Sequence, residues 1–335
     1  MAEHIYSFKH EQRGLAVVIV NKTFSSLVKR RGADKDLINM KTLFKKLGFR
    51  VKAYKDLTSD KMMEKLEKAS KKSHAESDCF VCVVSTHGVE IKHTHHGETT
   101  TQHILYGTDG KFIYTSEVTR MFANCLGLVD KPKLFFIQAC RSSEGHAKAD
   151  LGHEFIVIPE SKSGTDQSQV SMGHGVHFDE FPTQVSTEAY KDEDVSEDEW
   201  QESQLPDNWM EEDEEDRFCQ ETEQDAKGQR DTAPTGLPPS RIACYKDELI
   251  MWPVASGMRA PRYPDTGSWM LTFLFEELVK IQPNEPLLHA LTRVSCKMAN
   301  ESSTSDINVV SCISHRLSKE IYFTLKPKCS YLKTF

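Results

Sequence analysis

An apolar run that ends abruptly in polar residues constrains this chain most. Residues 133–141 read Lys-Leu-Phe-Phe-Ile-Gln-Ala-Cys-Arg, with the cysteine at position 140. This pattern is typical of a buried strand that delivers a cysteine to its carboxyl end. A second apolar run, residues 79–86, is followed by His87 and Gly88. Because the carboxyl ends of parallel strands share one edge of a sheet, we expect the Cys140 thiol and the His87 imidazole to meet there as nucleophile and base.

Strand and helix patterns alternate along the first 130 residues, which predicts an α/β fold with a mostly parallel central sheet and helices on both faces. Apolar and β-branched runs predict strands at 15–20, 51–54, 79–86, 133–138, 248–252 and 320–325. Helical spacing of apolar residues predicts helices at 33–47, 59–71, 116–124, 269–280 and 286–299.

Between residues 144 and 240 the alternation stops. This segment is rich in Ser, Gly, Gln, Asp and Glu, and residues 190–216 contain 14 Asp or Glu and one Lys, a local charge of −13. Since the whole chain carries −8, the remainder carries about +5. We interpret 144–240 as a disordered, acidic, cleavable linker, because such a composition buries too little apolar surface to offset the entropy of ordering. It divides one domain into a large part, 1–143, and a small part, 241–335.

Composition excludes several classes of protein. The nine cysteines show no scaffold spacing, and no signal peptide or run of 18 apolar residues is present, so we expect reduced thiols in a cytoplasmic protein with no membrane contact. No basic stripe with interleaved aromatics is present, which argues against nucleic acid.

No cofactor and no metal is expected. His93, His95 and His96 cluster in an apparent insertion, residues 92–103, which we interpret as a solvent-exposed loop rather than a metal site. Cys79 and Cys82 fall on opposite faces of one strand, so we interpret them as core residues.

The Gln-Ala-Cys-Arg run, with a His-Gly pair placed so that His87 lies 53 residues before Cys140, resembles the caspase family. The resemblance implies a three-layer caspase-like sandwich. In it Cys140 is the nucleophile, His87 handles the proton, and the backbone N–H groups of Gly88 and Cys140 form the oxyanion hole.

Segments in both parts of the chain extend the resemblance. Residues 30–34, Arg-Arg-Gly-Ala-Asp, are similar to the family's Arg-x-Gly-Thr/Ala segment, which assigns a substrate-pocket role to Arg30, with Arg31 as the alternative. Gln138 stands two residues before the nucleophile, as in the family.

In the small part, Arg262 precedes a Gly-Ser-Trp run by five residues and matches the family's second pocket arginine, and Trp269 ends that run as a further substrate-binding candidate. Residues 319–323 are similar to the family's closing strand. Two guanidinium groups and an amide that converge on one slot make a carboxylate receptor, so the pocket is expected to select Asp.

The resemblance implies a zymogen of a cysteine endopeptidase that cuts proteins after Asp in apoptosis. So few residues precede the first strand that the chain looks like an executioner caspase without a recruitment domain. The implied partners are protein substrates, an upstream activating protease, a second copy in a homodimer of large/small subunit pairs, and protein inhibitors. In the linker, Asp225 is the best candidate cut site, followed by Asp231, Asp216 and Asp179.

Two departures from the family pattern support an alternative. Ser142 stands where the family has Gly, and it would add about 1 kcal/mol of strain if the active enzyme needs positive φ there. Residues 259–261, Arg-Ala-Pro, replace the aromatics of the secondary subsites. The alternative is a catalytically weak or inactive caspase homologue that regulates a partner caspase. A metacaspase-like preference for basic residues is opposed by the positive charges of Arg30 and Arg262.

Overall fold

The computed structural model describes residues 4–95, 98–142, 244–304 and 309–324. The predicted linker and the candidate cut sites in it, Asp179, Asp216, Asp225 and Asp231, lie outside these ranges. The helices of this structure are α1 Ala33–Lys46, α2 Ser59–Ser70, α3 Thr115–Ala123, α4 Trp269–Leu278 and α5 Leu287–Thr304, with a 3₁₀ turn at Leu126–Leu128. The strands are β1 Leu15–Val20, β2 Arg50–Lys55, β3 Phe80–Ser85, β4 Gly88–His95, β5 Glu98–Tyr106, β6 Phe112–Tyr114, β7 Lys133–Gln138, β8 Glu248–Trp252, β9 Arg262–Tyr263, β10 Gly267–Ser268 and β11 Cys312–His315.

Six strands form one mixed sheet in the order β11-β8-β7-β3-β1-β2. Every neighbouring pair is parallel except β11 with β8. All residues of β1, β3 and β7 are buried. Their nearly continuous apolar sequences follow from this position, since a parallel strand in the middle of the sheet is covered on both faces.

Helices cover both faces of this sheet, which confirms the predicted three-layer α/β architecture. On one face α1, α4 and α5 contribute Met40, Leu274 and Val294 to a core that also contains Cys79. On the other face α2 and α3 form a second core, which contains Cys82. The two cysteines therefore point to opposite faces, as the period of two in a strand predicts.

A three-stranded antiparallel sheet, β4-β5-β6, follows β3. The prediction of an exposed loop at residues 92–103 is wrong for the described residues, because 92–95 and 98–103 are strand residues of the β4–β5 hairpin and His103 is buried within it. The three consecutive threonines at 99–101 favour strand, since their branched side chains fit a pleated surface. Among the described residues no group of three or more His, Cys, Asp or Glu side chains could hold a metal.

The predicted closing strand at 320–325 is also wrong within the described part. Glu320 and Tyr322 make only isolated bridges, to Ile5 and Pro286, and the edge of the main sheet is β11 instead. Leu325 lies outside the described residues. The alternating pattern that suggested a strand arises because Ile321 and Phe323 pack on the core as extended chain, not as part of the sheet. The last predicted helix, 286–299, extends further, to Thr304.

Candidate active site

The two strand ends that carry the predicted catalytic residues are neighbours. β3 and β7 are parallel, and Ser85 lies opposite Gln138 in their register. The N–H of Thr86 donates to the backbone O of Gln138 at 3.1 Å, which extends the pairing by one residue. His87 and Cys140 each follow this register pair by two residues. They therefore leave adjacent strands at the same level of the carboxyl edge.

The His87 ring is held by the loop that follows β1. Its Nε2 lies 2.7 Å from the backbone O of Val28, and the Phe24 ring tilts against it with centroids 4.7 Å apart. A carbonyl oxygen only accepts hydrogen bonds, so Nε2 carries the proton and Nδ1 of the neutral ring keeps a lone pair. Burial, then the positive charges of Arg30 and Arg262, lower the pKa of His87 to about 3. The ring is therefore neutral at pH 7, with the Nδ1 lone pair unprotonated.

Cys140 is half-buried just beyond β7. Its Sγ accepts a hydrogen bond from the backbone N–H of Ala260 at 3.4 Å. Ala260 lies in the small part of the chain, two residues before Arg262 and 120 residues after the cysteine. The thiol is therefore a point at which the large and small parts meet.

Position 88 has no room for a side chain. A Cβ on Gly88 would lie 2.8 Å from both the Ala139 Cβ and the backbone O of Ile104, closer than real Cβ contacts. The glycine thus lets its backbone lie directly against the end of β7. The Gly88 and Cys140 N–H groups remain the predicted oxyanion donors.

The structure turns Arg30, not Arg31, toward the end of β3. The Arg30 side chain is 4% exposed and donates from Nη1 to Asn21 O at 2.8 Å and from Nη2 to Ser85 Oγ at 3.0 Å, whereas Arg31 is exposed. Gly32 follows with φ 74°, and a Cβ there would lie 2.5 Å from the backbone O of Tyr263. The loop that carries Arg30 is therefore in direct contact with the strand that carries the second predicted arginine.

Asp36, in the first turns of α1, joins the two arginine-bearing segments. Its Oδ2 accepts from Arg262 Nη2 at 3.2 Å and from Ser85 Oγ at 2.9 Å, the hydroxyl that Arg30 also contacts. Its Oδ1 accepts from the backbone N–H and the hydroxyl of Ser268, both at 2.8 Å. The carboxylate is fully buried. It therefore orients Arg262 beside Arg30 and offsets part of their positive charge.

Asp36 is not among the site residues predicted from the sequence, although the sequence contains a signal for it. Asp36 lies on the same helical stripe as Met40 and Phe44, both of which are in the core. A carboxylate on the apolar stripe of an amphipathic helix needs a buried partner, because an unpaired charge there would be costly.

Two other predicted substrate-binding residues are deeply buried. Gln138 ends β7 beside Ser85, and its Oε1 has no hydrogen-bond partner among the described residues. Trp269, at the start of α4, is 1% exposed and packs against the Tyr263 ring with centroids 5.5 Å apart. The structure therefore places Trp269 in the core behind the predicted pocket, and direct contact with substrate stays a prediction.

The departures from the family pattern lie close to the same edge. Ser142 is buried and does not have positive φ, which among described non-glycine residues occurs at Asp56, Asp130 and Asp247. The backbone strain expected for Ser142 is therefore absent in this conformation. Pro261 is buried directly before Arg262, where it contributes neither an N–H donor nor an aromatic ring.

A model of the caspase domain matches residues 13–322 of the chain. The chain belongs to the caspase family. Family membership supports the role of a cysteine peptidase. In the described parts of this caspase-family protein, no helix is both long and apolar enough to cross a membrane.

Individual caspases are similar to the chain in sequence, with identities between 26% and 39%. The chain is 39% identical to chicken (Gallus gallus) caspase-2 over 145 residues, 42% of this chain and 31% of that protein. It is 35% identical to mouse (Mus musculus) caspase-6 over 159 residues, 46% of this chain and 50% of that protein. It is 26% identical to caspase-3 of Mesocricetus auratus over 330 residues, 95% of this chain and 86% of that protein. The match to the first two relatives thus spans half of their length or less.

Proposed function

We propose that this caspase-family chain is a cysteine endopeptidase that cuts proteins after Asp. The observation that carries the proposal is the placement of two buried guanidinium groups, those of Arg30 and Arg262, at the sheet edge that also holds Cys140 and His87. Guanidinium groups match the geometry of a carboxylate with two parallel hydrogen bonds. A substrate Asp seated there would present its own carbonyl carbon to the thiol.

The proposed reaction follows from the state of the His87 ring. The neutral imidazole takes the thiol proton on Nδ1 while Sγ of Cys140 bonds to the substrate carbonyl carbon. The electrons of the C=O bond move to oxygen, where the N–H groups of Gly88 and Cys140 stabilise the negative charge. When the intermediate collapses, the C–N bond breaks and His87 returns the proton to the leaving amine. Water then hydrolyses the thioester in the same manner.

Charge and size together explain the preference for Asp. Asp36 offsets only part of the positive charge of the two arginines, and a neutral residue before the cut would bring no carboxylate to offset the rest, so discrimination on the order of 10⁴ is expected. Glu carries one extra methylene, which displaces either its carboxylate or the reacting carbonyl. Asp36 contributes indirectly, because it fixes the direction of Arg262.

The test is a panel of peptides that differ only in the residue before the cut, assayed with linker-processed protein. We expect cleavage after Asp, loss of all cleavage in Cys140→Ala, and unchanged cleavage in the control Cys125→Ala, which changes a second half-buried cysteine. Hydrolysis that persists in Cys140→Ala, or a preference for Lys or Arg, would contradict the proposal.

Pro261 favours the second candidate function, a weak or inactive homologue that regulates a partner caspase, since it removes a donor beside the pocket. The two functions differ in one result. If the protein is a regulator, the wild type and Cys140→Ala should change the activity of an added caspase to the same extent. If the protein is a peptidase, any such effect should disappear in Cys140→Ala, because that variant lacks the thiol.

We also propose that a cut in the linker activates the zymogen, with Asp225 as the first site and Asp231 and Asp216 after it. The proposal is supported by hydrogen bonds between the loop after Cys140 and the loop before Arg262, which lie on opposite sides of the linker in the sequence. The Arg141 N–H donates to Met258 O at 2.9 Å, and the Gly257 N–H donates to Arg141 O at 2.8 Å. Intact-mass analysis should find new termini only after Asp within 144–240. Full activity in an uncut chain with every linker Asp replaced would contradict it.

The remaining proposals rest on the family. We propose a homodimer of large/small subunit pairs that acts in the cytoplasm during apoptosis, with an upstream protease and protein inhibitors as further partners. The edge position of β11 supports the dimer, since within the described residues this strand pairs only with β8. Sedimentation of the processed protein tests the assembly.

A further inference from the structure

A buried cross-strand pair, Glu90 and His103, lies directly behind the candidate nucleophile. Glu90 of β4 and His103 of β5 face each other in the antiparallel register. Side chains at directly opposite positions project to the same face of a sheet. Both are almost fully buried, at 4% and 1% exposure, although both are polar. Buried polar groups of this kind are retained where they are hydrogen-bonded.

His103 uses both ring nitrogens. Nε2 lies 2.9 Å from the backbone O of Cys140, and Nδ1 lies 2.8 Å from Oγ1 of Thr115, the first residue of α3. The carbonyl only accepts, so Nε2 carries the proton and Nδ1 accepts from the Thr115 hydroxyl. Burial lowers the pKa of His103 to about 3, so this neutral tautomer persists at ordinary pH. The ring also packs edge-on against Trp252, with centroids 4.8 Å apart.

Glu90 holds the two residues that follow the cysteine. Its carboxylate accepts from Nε of Arg141 at 2.7 Å and also binds the hydroxyl of Ser256. Its backbone N–H donates to the O of Ser142 at 2.8 Å. Together with the contact from His103 to Cys140, the cross-strand pair fixes three consecutive residues of the loop after β7.

His103 also touches the glycine of the predicted oxyanion hole. A Cβ on Gly88 would lie 2.9 Å from Nε2 of His103. Nε2 of His103 is therefore close to both Gly88 and the Cys140 carbonyl. The N–H groups of Gly88 and Cys140 are the predicted donors to the substrate oxyanion. A shift of either segment would misdirect its N–H donor.

We propose that His103 is a positioning residue for catalysis: its Nε2–H fixes the Cys140 carbonyl, and thereby holds the backbone of Cys140, including its own N–H, in line with the Gly88 N–H. The inference rests on the proposed peptidase function. An apolar residue at this position would fill the space, but it would leave the Cys140 carbonyl and the Thr115 hydroxyl without these contacts. Thr115 supports the role indirectly, because its hydroxyl selects the tautomer that donates to Cys140.

Two substitutions separate hydrogen bonding from packing. His103→Phe keeps a ring beside Trp252 but has no donor, and His103→Gln restores an N–H donor. His74→Phe is the matched control, because His74 is another buried histidine whose Nε2 contacts a carbonyl, that of Ala69, at 2.9 Å. Four quantities are measured: kcat and KM for an Asp peptide, affinity for the corresponding peptide aldehyde, and the rate of Cys140 alkylation by iodoacetamide.

The peptide aldehyde reports on the oxyanion donors, and iodoacetamide reports on the reactivity of the Cys140 thiolate. The aldehyde forms a tetrahedral adduct whose oxygen needs the oxyanion donors, whereas iodoacetamide reacts with an accessible thiolate and needs no oxyanion donor. For His103→Phe we expect kcat and aldehyde affinity to fall together by about 10²-fold, with KM and alkylation nearly unchanged. His103→Gln should recover most of the loss, Thr115→Val should give an intermediate loss, and His74→Phe should leave all four quantities as in wild type.

Three results would overturn the inference: wild-type kcat in His103→Phe, no recovery in His103→Gln relative to Phe, or an equal fall in alkylation. If His103→Phe does not fold, the Gln and Thr115→Val variants decide. If the wild type itself cuts no peptide after Asp, the proposed function fails on its own. In that case hydrogen exchange decides the inference: faster exchange of the Cys140 and Arg141 amides in His103→Phe than in His74→Phe supports it, and equal exchange overturns it.

Discussion

Arg262 Nη2 lies 3.2 Å from Oδ2 of Asp36, although the two residues are 226 positions apart and on opposite sides of the predicted linker. Both side chains are buried, and the same carboxylate accepts hydrogen bonds from Ser85 and Ser268. A buried charge that loses its partner is strongly destabilised, so this contact links the stability of the fold to the direction of a pocket arginine.

Asp36→Asn should therefore weaken both substrate binding and the fold. We expect KM for an Asp peptide to rise about tenfold with a smaller change in kcat, because the variant disturbs Arg262 and not the reacting groups. The free energy of unfolding should fall by about 2–3 kcal/mol. Asp34→Asn is the control, since Asp34 is part-exposed and pairs with Lys22 and Lys55 at the surface. Equal kinetics in both variants would refute the link.

The His87 ring should not titrate near its ordinary value. Burial and the two arginines lower its pKa from 6.5 to about 3. Between about pH 3 and pH 6.5, His87 is therefore protonated in the unfolded chain but neutral in the folded protein. His87 thus contributes stability in full above pH 6.5, and this contribution is lost as the pH falls toward 3. NMR of ring-labelled histidine, assigned by comparison with His87→Gln, checks this. A His87 midpoint between pH 6 and 7 would contradict it.

Gly88→Ala should impair catalysis because the added methyl group would clash with its neighbours. The added methyl would meet Ala139 and Ile104 at 2.8 Å, so the backbone must move away from the end of β7. Because displacement of one oxyanion donor costs about 10²–10³ in kcat, we expect a fall of that size with a smaller change in KM. Gly257→Ala serves as a contrast, since nothing lies within 4 Å of its Cβ position and its strain comes from φ +85° alone. A fully active Gly88→Ala enzyme would rule out the oxyanion role.

Tyr6→Phe should destabilise the contact between the N-terminal segment and the small part. The buried Tyr6 hydroxyl donates to Oδ1 of Asp247 at 2.6 Å and accepts from the Ser318 N–H at 3.0 Å. Loss of such a hydroxyl costs about 1–2 kcal/mol in urea unfolding. Tyr322→Phe removes an exposed hydrogen bond to Glu320 and should cost much less. An equal decrease in the free energy of unfolding in the two variants would contradict a stabilising role for the buried Tyr6 hydroxyl.

The sequence predicts the central sheet and the catalytic edge because both depend on short-range patterns. The runs that became β1, β3 and β7 are apolar throughout, and the residues that follow a parallel strand must lie at one edge. His87 and Cys140 could be placed near each other on these grounds alone.

The sequence does not predict features that depend on distant partners. Asp36 receives Arg262 and Ser268 from the far side of the linker, and no local pattern shows that pairing. His103 lies in a hairpin whose polar composition resembles a loop, and its contact with Cys140 follows from the register of β4 with β5. Such contacts are fixed by tertiary packing, which periodicity does not encode.

The carboxylate-binding role of Arg30 can be tested with two peptides that differ by one group, Asp or Asn before the cut. Both are assayed with linker-processed wild type, Arg30→Gln and Arg31→Gln. We expect wild type and Arg31→Gln to prefer Asp by a factor on the order of 10⁴ in kcat/KM. Arg30→Gln should lose most of this preference because one buried guanidinium is gone. Equal cleavage of the Asp and Asn peptides by wild type, or a preference that survives intact in Arg30→Gln, would contradict this role.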